Sequence, residues 1–344
     1  MIGLVNYSRE PYSVELRELP APEIGKDDIL LRVHAVGICG SDLHQYTGTH
    51  SWQVNYPVVL GHEFSGYVAA VGKEVRGFRE GDRVVSETAA VLPQDSPLIR
   101  QGLYNLEPKR LGFGYGVDGA MASFVRAPAR CLHHVPAAVT LENAALTEPC
   151  CVAYNAVCVH SRLRPGDSVA VIGPGPIGLL CAAFAKLSGA GHLVVIGTRV
   201  DGKRLETAER MGADMTLGAK GEDVGEWVRN FGDGYGLDLV IDAAGVSASL
   251  KLALDIVRPA GHITKVGWGP QPLSFSLDQL VQKAVTLQGS FSHNWPMWEK
   301  VITLLAGDKI SLAPLVNRIS PLSDWREAFE EMHSGNIVKG VLLP

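Results

Sequence analysis

Cys39, His62 and Glu63 sit in two short glycine-flanked segments, Gly37-Ile38-Cys39-Gly40-Ser41-Asp42-Leu43-His44 and Gly61-His62-Glu63-Phe64-Ser65-Gly66. Together they offer a thiolate, an imidazole and a carboxylate to one metal ion. Structural zinc sites favour four Cys or His ligands. A mixed set with a carboxylate suits catalytic zinc, which keeps a position open for water or substrate. Glu148, in Thr147-Glu148-Pro149-Cys150, is a candidate fourth ligand. Glycines around the central pair let backbone pass close to a metal. A ligating histidine usually donates its second ring N–H to a carboxylate, and Asp42 is the candidate partner of His62. Ser41 and His44 add a hydroxyl and an imidazole able to hand a proton outward.

A second constellation follows an apolar strand. Residues 167–172 run into Gly173-Pro174-Gly175-Pro176-Ile177-Gly178, and Ile177, Leu180, Phe184 and Leu187 then recur at helical spacing until Gly189. Between a strand and a helix, this pattern reads as a dinucleotide-binding turn. The first glycine makes the tight turn, the second admits the pyrophosphate, and the third lets helix pack on strand. The helix N-terminus faces the phosphates. The prolines remove N–H donors, so Gly173, Gly175, Pro176, Ile177 and Gly178 are cofactor-binding candidates that rely on the remaining amides. The next strand, 192–196, ends at Gly197-Thr198-Arg199 with no carboxylate at its tip; Asp201 comes later. Thr198 can hydrogen-bond to a 2′-phosphate and Arg199 can pair with it, so NADP is expected over NAD. In the opposing reading Asp201 swings in to bind NAD.

These segments need two supporting bodies. The chain has 344 residues and 46% hydrophobic content, enough for two domains. Up to about residue 135, short alternating runs punctuated by Gly and Pro read as mostly β. From about residue 150 strands alternate with helices, which implies a parallel sheet with crossover helices. The final part, from about Asn294, mixes a helix with strand-like ends and is expected to return to the first domain. The formal net charge is −5 with no run of like charges, so neither nucleic acid nor a membrane surface is an expected partner. No apolar stretch is long enough to span a bilayer, and no signal peptide is expected. Six cysteines without CxxC spacing read as reduced thiols in a cytoplasmic protein.

These motifs resemble those of the zinc-dependent medium-chain dehydrogenase/reductases, and within them the polyol (sorbitol, iditol) and threonine dehydrogenase branch. The resemblance covers essentially the whole chain. It rests on Gly61-His62-Glu63 with Gly66, Gly72 and Val75, on the run from Cys39 to His44, on Glu148-Pro149 and on the glycine turn. It implies an α/β protein with a GroES-like β-rich catalytic domain over 1–152 and 291–344 and a Rossmann domain over 153–290. It implies Cys39 and His62 as zinc ligands, with Glu63 and Glu148 binding the metal directly or through its water, and Ser41 and His44 as a proton relay with the nicotinamide ribose hydroxyl between them. Val266 and Ser290-Phe291-Ser292 would receive the nicotinamide carboxamide. The implied reaction is reversible oxidation of a secondary alcohol, a polyol or sugar alcohol, by hydride transfer to NAD(P). An amino alcohol such as L-threonine is the alternative substrate. A non-catalytic NADP-binding protein on the same fold is the alternative of another class. A zinc-free enone reductase is disfavoured by Cys39, His62 and Glu63. Residues 284–289 read as an edge strand along which a homodimer or homotetramer would form.

Two departures from the family shape the expectations. Many members bind a second, structural zinc through four cysteines. The corresponding positions here are Pro93, Ser96, Ile99 and Glu107, so one zinc per subunit is expected, with the lobe held by packing. Sorbitol dehydrogenases carry an Arg-Tyr pair where this chain has Ser292-His293, and an aromatic directly after the relay histidine where this chain has Gln45, followed by Tyr46. Both differences argue against sorbitol itself. Trp52, His293, Asn294, Trp295 and Trp298 are candidates to line the substrate pocket, with core packing the rival reading and the favoured one for Trp298. A solvated loop is the rival reading for His293.

Overall fold

The computed structural model describes residues 1–218, 223–269 and 271–344. The chain divides into two compact units: Met1–Glu148 with His293–Asp308 and Val316–Pro344, and Pro149–Ser292 with Lys309–Leu315. Lys309–Leu315 was expected in the first unit but joins the second, with Ile310, Leu312 and Leu315 buried.

The first unit is built on strand alternation. In Asp28–Gly37, Ile29, Leu31, Val33 and Ala35 point inward at every second position and are buried. This strand pairs with Glu63–Val71 and Phe124–Pro128 inside a seven-stranded sheet that also holds Val316–Pro321, Lys339–Leu343, Arg83–Ser86 and Leu132–His134. Phe64, Phe113, Tyr46 and Phe329 meet edge to face in the core, at ring separations of 5.3 Å for Phe64–Phe113 and 5.6 Å for Tyr46–Phe329. Register matters most at Gly37, which lies opposite Glu63 on one side and Val341 on the other. Three strand ends therefore bring residues 37, 63 and 339 together. A Cβ at Gly37 would collide with the Glu63 carboxylate, so only glycine lets these strands close at that point.

The second unit is a six-stranded parallel sheet ordered Met215–Leu217, His192–Ile196, Ser168–Ile172, Leu237–Asp242, Val257–Lys265, Thr286–Gly289. Val169, Ala170 and Val171 are all fully buried, as a strand covered on both faces requires. From the central strand Ser168–Ile172 the chain winds first to one edge and then to the other. The turn that follows Ile172 thus lies at the reversal point, where open α/β sheets bind ligands. Thr286–Gly289 ends the order as the edge strand. The helix expected over 298–305 spans Trp295–Ala306, with Pro296 in its first turn. Among the described residues no helix is long and apolar enough to cross a membrane.

Candidate functional site

Cys39 stands at the N-terminus of the helix Gly40–Tyr46, directly after the strand that ends at Gly37. Asp42, fully buried, accepts the Cys39 backbone N–H at 2.8 Å and so closes that helix end. Its other oxygen, Oδ1, is 3.9 Å from His62 Nδ1, too far for a hydrogen bond. The expected Asp42–His62 bond is therefore not formed; Oδ2 caps the helix, and Oδ1 faces His62 without reaching it. The ligand atoms of Cys39, His62 and Glu63 all lie within 4.8 Å of one another. Burial opposes protonation of His62, but Cys39, Asp42 and Glu148 outweigh it and hold its pKa well above the usual imidazole range. A partly buried cluster with a thiol and two carboxylates around one imidazole fits a divalent cation, and the thiolate–imidazole–carboxylate set matches catalytic zinc.

The sequence reading missed Lys339. Its ammonium is buried and donates to the Ile38 carbonyl at 2.7 Å; it lies 2.8 Å from Glu63 Oε1 and 2.5 Å from Oε2. Burial opposes its charge, yet Glu63, Cys39 and Glu148 hold its pKa above the usual lysine value. Glu63 is thus held by a lysine as well as lying beside Cys39 and His62. The signal was a single charge within the otherwise apolar run Ile337-Val338-Lys339-Gly340-Val341-Leu342-Leu343.

Glu148 stands outside the three-residue group. Its Oε1 is 2.9 Å from His293 Nε2, and the Trp298 indole donates to His293 Nδ1 at 2.9 Å. Burial works against the Glu148 charge, but His293, His62 and Lys339 together hold its pKa below the ordinary glutamate value. His293 is only 2% exposed, so it is not a solvated loop residue; Trp298 is core-packed as expected. Trp52 meets the His44 ring edge to face at 6.3 Å. Asn294 and Trp295 are tied instead to the lobe near residue 100: Asn294 Nδ2 donates to the Gly102 carbonyl at 3.0 Å, and Trp295 N to the Tyr104 hydroxyl at 2.5 Å.

Ser41 and His44 lie on the same helix, three residues apart and so on one face. His44, which is exposed, has its Nδ1 hydrogen-bonded to Thr49 Oγ1 at 2.9 Å; Thr49 Oγ1 bonds Thr47 Oγ1 at 2.9 Å, and the Thr47 hydroxyl donates to the Leu43 carbonyl at 2.9 Å. In the cysteine-less lobe, Ser96 Oγ donates to Glu107 Oε2 at 2.5 Å, both residues being buried. Beside the packing expected of this lobe, two of the four positions that carry cysteine in many family members thus bond to each other, and Tyr104 donates to Glu87 at 2.6 Å.

In the second unit Gly173 has φ +98°, a torsion only glycine adopts without strain. A Cβ at Gly175 would point into open space, and one at Gly178 would strike the Gly173 carbonyl. The three glycines thus have the geometry expected of a turn, a phosphate approach and a helix contact. At the tip of the next strand, Asp201 Oδ2 accepts the Thr198 N–H at 2.9 Å and its hydroxyl at 2.7 Å, with Arg204 at 3.5 Å. Thr198 therefore spends its hydroxyl proton on Asp201 rather than offering it to a phosphate. Arg199 is exposed. Val266 N donates to the Asp242 carbonyl at 3.0 Å, and Ser290 N to the Lys265 carbonyl at 2.9 Å. Asn155, another residue the sequence did not reveal, donates to the Ser292 carbonyl at 2.9 Å and the Phe291 carbonyl at 3.4 Å, holding the segment in which Ser292 has φ +57°.

Residues 25–137 match the family described as the alcohol dehydrogenase GroES-like domain, and residues 176–307 the family described as zinc-binding dehydrogenase. The chain is 37% identical over 330 residues to a sorbitol dehydrogenase from Halalkalibacterium halodurans, covering 96% of this chain and 95% of that one. It is 36% identical over 323 residues to a D-arabitol-phosphate dehydrogenase from Enterococcus avium, covering 94% and 91%. A crystal structure from Sinorhizobium meliloti 1021, described as a zinc-binding dehydrogenase bound to NADP, superposes with a TM-score of 0.92 at 26% identity, covering 100% and 99%.

Proposed function

We propose a function from one premise: this chain belongs to the zinc-dependent medium-chain dehydrogenase/reductases, with a GroES-like domain and a Rossmann-type domain. Its reaction is the reversible oxidation of a secondary alcohol in a polyol or sugar alcohol, free or phosphorylated, to the ketone. The convergence of the Cys39, His62 and Glu63 ligand atoms within 4.8 Å of one another is the observation that carries this reading. Cys39 and His62 hold zinc, with Glu63 or Glu148 as the carboxylate. When bound, the metal supplies Lewis acidity toward a hydroxyl oxygen and the nicotinamide supplies a hydride acceptor. Ser41 takes up the substrate hydroxyl proton as it gives up its own, and exposed His44, whose Nδ1 bonds Thr49 Oγ1, is the group that accepts the released proton.

Burial, with the nearby charges of His333 and His50, lowers the His44 pKa below its usual 6.5. The imidazole is therefore neutral at pH 7 and able to accept a proton. Oxidation is expected to fall as pH drops through that lowered pKa, and His44→Gln should remove this limb from the profile of kcat/KM against pH. An identical acid limb in the variant would contradict the relay.

NADP is the preferred cofactor in this reading. The Asp201 carboxylate is occupied by Thr198 and faced by Arg204, which leaves the exposed Arg199 as the cation for a 2′-phosphate. Arg199→Ala should raise KM for NADP about tenfold, the effect of losing one charge-assisted hydrogen bond, and leave KM for NAD nearly unchanged. Equal effects on both cofactors would remove Arg199 from the assignment.

A homodimer or homotetramer and a cytoplasmic setting complete the reading, supported by the edge strand Thr286–Gly289 and by six cysteines without CxxC spacing. The substrate test is a panel of free polyols, polyol phosphates and L-threonine, followed by NADPH and NADH formation with and without a chelator. Chelator-sensitive turnover of a polyol or its phosphate supports the proposal. Turnover of L-threonine alone would replace it with the amino-alcohol reading.

A further inference from the structure

Glu148 is the one expected metal-site carboxylate that lies outside the compact group. It is near enough for the charges of His62 and Lys339 to act on it, and its own charge acts on Glu63. What holds it is His293, whose Nε2 lies 2.9 Å from Glu148 Oε1. The other ring nitrogen, Nδ1, receives the Trp298 indole N–H at 2.9 Å. An indole N–H can only donate. His293 Nδ1 must therefore be the bare nitrogen, which leaves its proton on Nε2, directed at the carboxylate. Trp298 is itself fixed: it is 1% exposed, and its ring stacks on His133 at 5.3 Å and 9°. His133 in turn bonds Glu299, on the same helix as Trp298, at 2.6 Å.

We infer that His293, with its tautomer set by Trp298, is a positioning residue that keeps Glu148 beside the metal group and off the metal in the resting state. The inference rests on the metal-centre reading above. A one-sided N–H donor on Oε1 restrains the carboxylate against swinging toward Cys39 and His62. Removing that donor frees Glu148 to enter the ligand set. The chain thus uses His293 to set the resting ligation rather than to touch substrate.

The test uses the full-length protein with cobalt in place of zinc, reading the visible absorption of the metal and its affinity by chelator competition. His293→Ala should shift the cobalt spectrum and change metal affinity about tenfold or more. His293→Gln, whose amide N–H can reach the same Glu148 oxygen, should keep the wild-type spectrum. Trp298→Phe should shift the spectrum in the direction of His293→Ala, by less. Adding Glu148→Gln to His293→Ala should cancel the shift, because the change acts through that carboxylate. A His293→Ala protein with native circular dichroism and an unaltered spectrum and affinity would overturn the inference. So would a His293→Gln protein that behaves like His293→Ala. Wild-type protein that takes up no metal would overturn the metal-centre reading itself, an outcome separate from either.

Discussion

Cys39→Ser should leave the protein folded and able to bind dinucleotide, and lower alcohol oxidation by about 10³-fold or more. The thiolate is the soft anionic ligand of the group, and a serine hydroxyl stays protonated where a cysteine near a metal does not. His62 and Glu63 alone would then face the ion. The fold should survive because position 39 caps the helix Gly40–Tyr46, and serine is a better cap than cysteine. Losing a Lewis acid removes several kcal/mol of transition-state stabilisation, and each ~1.4 kcal/mol is a factor of ten in rate. The variant is checked by bound zinc, by dinucleotide binding and by turnover. Full zinc content with full activity would remove Cys39 from the ligand set.

Lys339→Met should destabilise the first unit by about 3–5 kcal/mol at neutral pH, the cost of leaving one member of a buried ion pair without its partner. The lysine is 1% exposed and bonds both Glu63 and the Ile38 carbonyl, so its loss strands the Glu63 charge in the protein interior. Glu63→Gln added to Lys339→Met should recover much of that stability, while Lys73→Met, at an exposed lysine, should cost almost nothing. The pH dependence has a definite sign. The Lys339 pKa is raised above its usual value, so its stabilising contribution is complete below the ordinary lysine pKa and is lost as pH rises through the higher folded one. Urea unfolding of wild type and variant should therefore differ most at neutral pH and converge in strong alkali. A constant gap across that range would mean that packing, not charge, is what the methionine disrupts.

The parts of the site that a reader of the sequence can find are those carried by short segments. The glycine turn follows its strand directly; Gly173 is required by its positive φ and Gly178 by its contact with the Gly173 carbonyl. Cys39 and the His62-Glu63 pair stand at strand and helix ends, where glycines mark a close backbone approach. Partners chosen by strand register are not legible. Lys339 reaches Glu63 across 276 positions, because Lys339–Leu343 and Glu63–Val71 flank the same strand. His293 reaches Glu148 across 145 positions. Competition between neighbours is equally hidden. Asp42 caps the helix with one oxygen, and the other stops 3.9 Å short of His62. Asp201 could meet a ribose or fold back on Thr198, and it folds back. Ser96 and Glu107 read as lost cysteines, but their hydrogen bond depends on the path of the loop between them.

The most direct measurement is a zinc titration of metal-stripped protein, following nicotinamide reduction with an accepted polyol at each step. The account predicts activity that is absent without metal, rises in proportion to added zinc and levels off at one ion per chain. Full activity in the stripped protein, or a plateau only at two ions per chain, would contradict a single catalytic zinc held by Cys39, His62 and a glutamate.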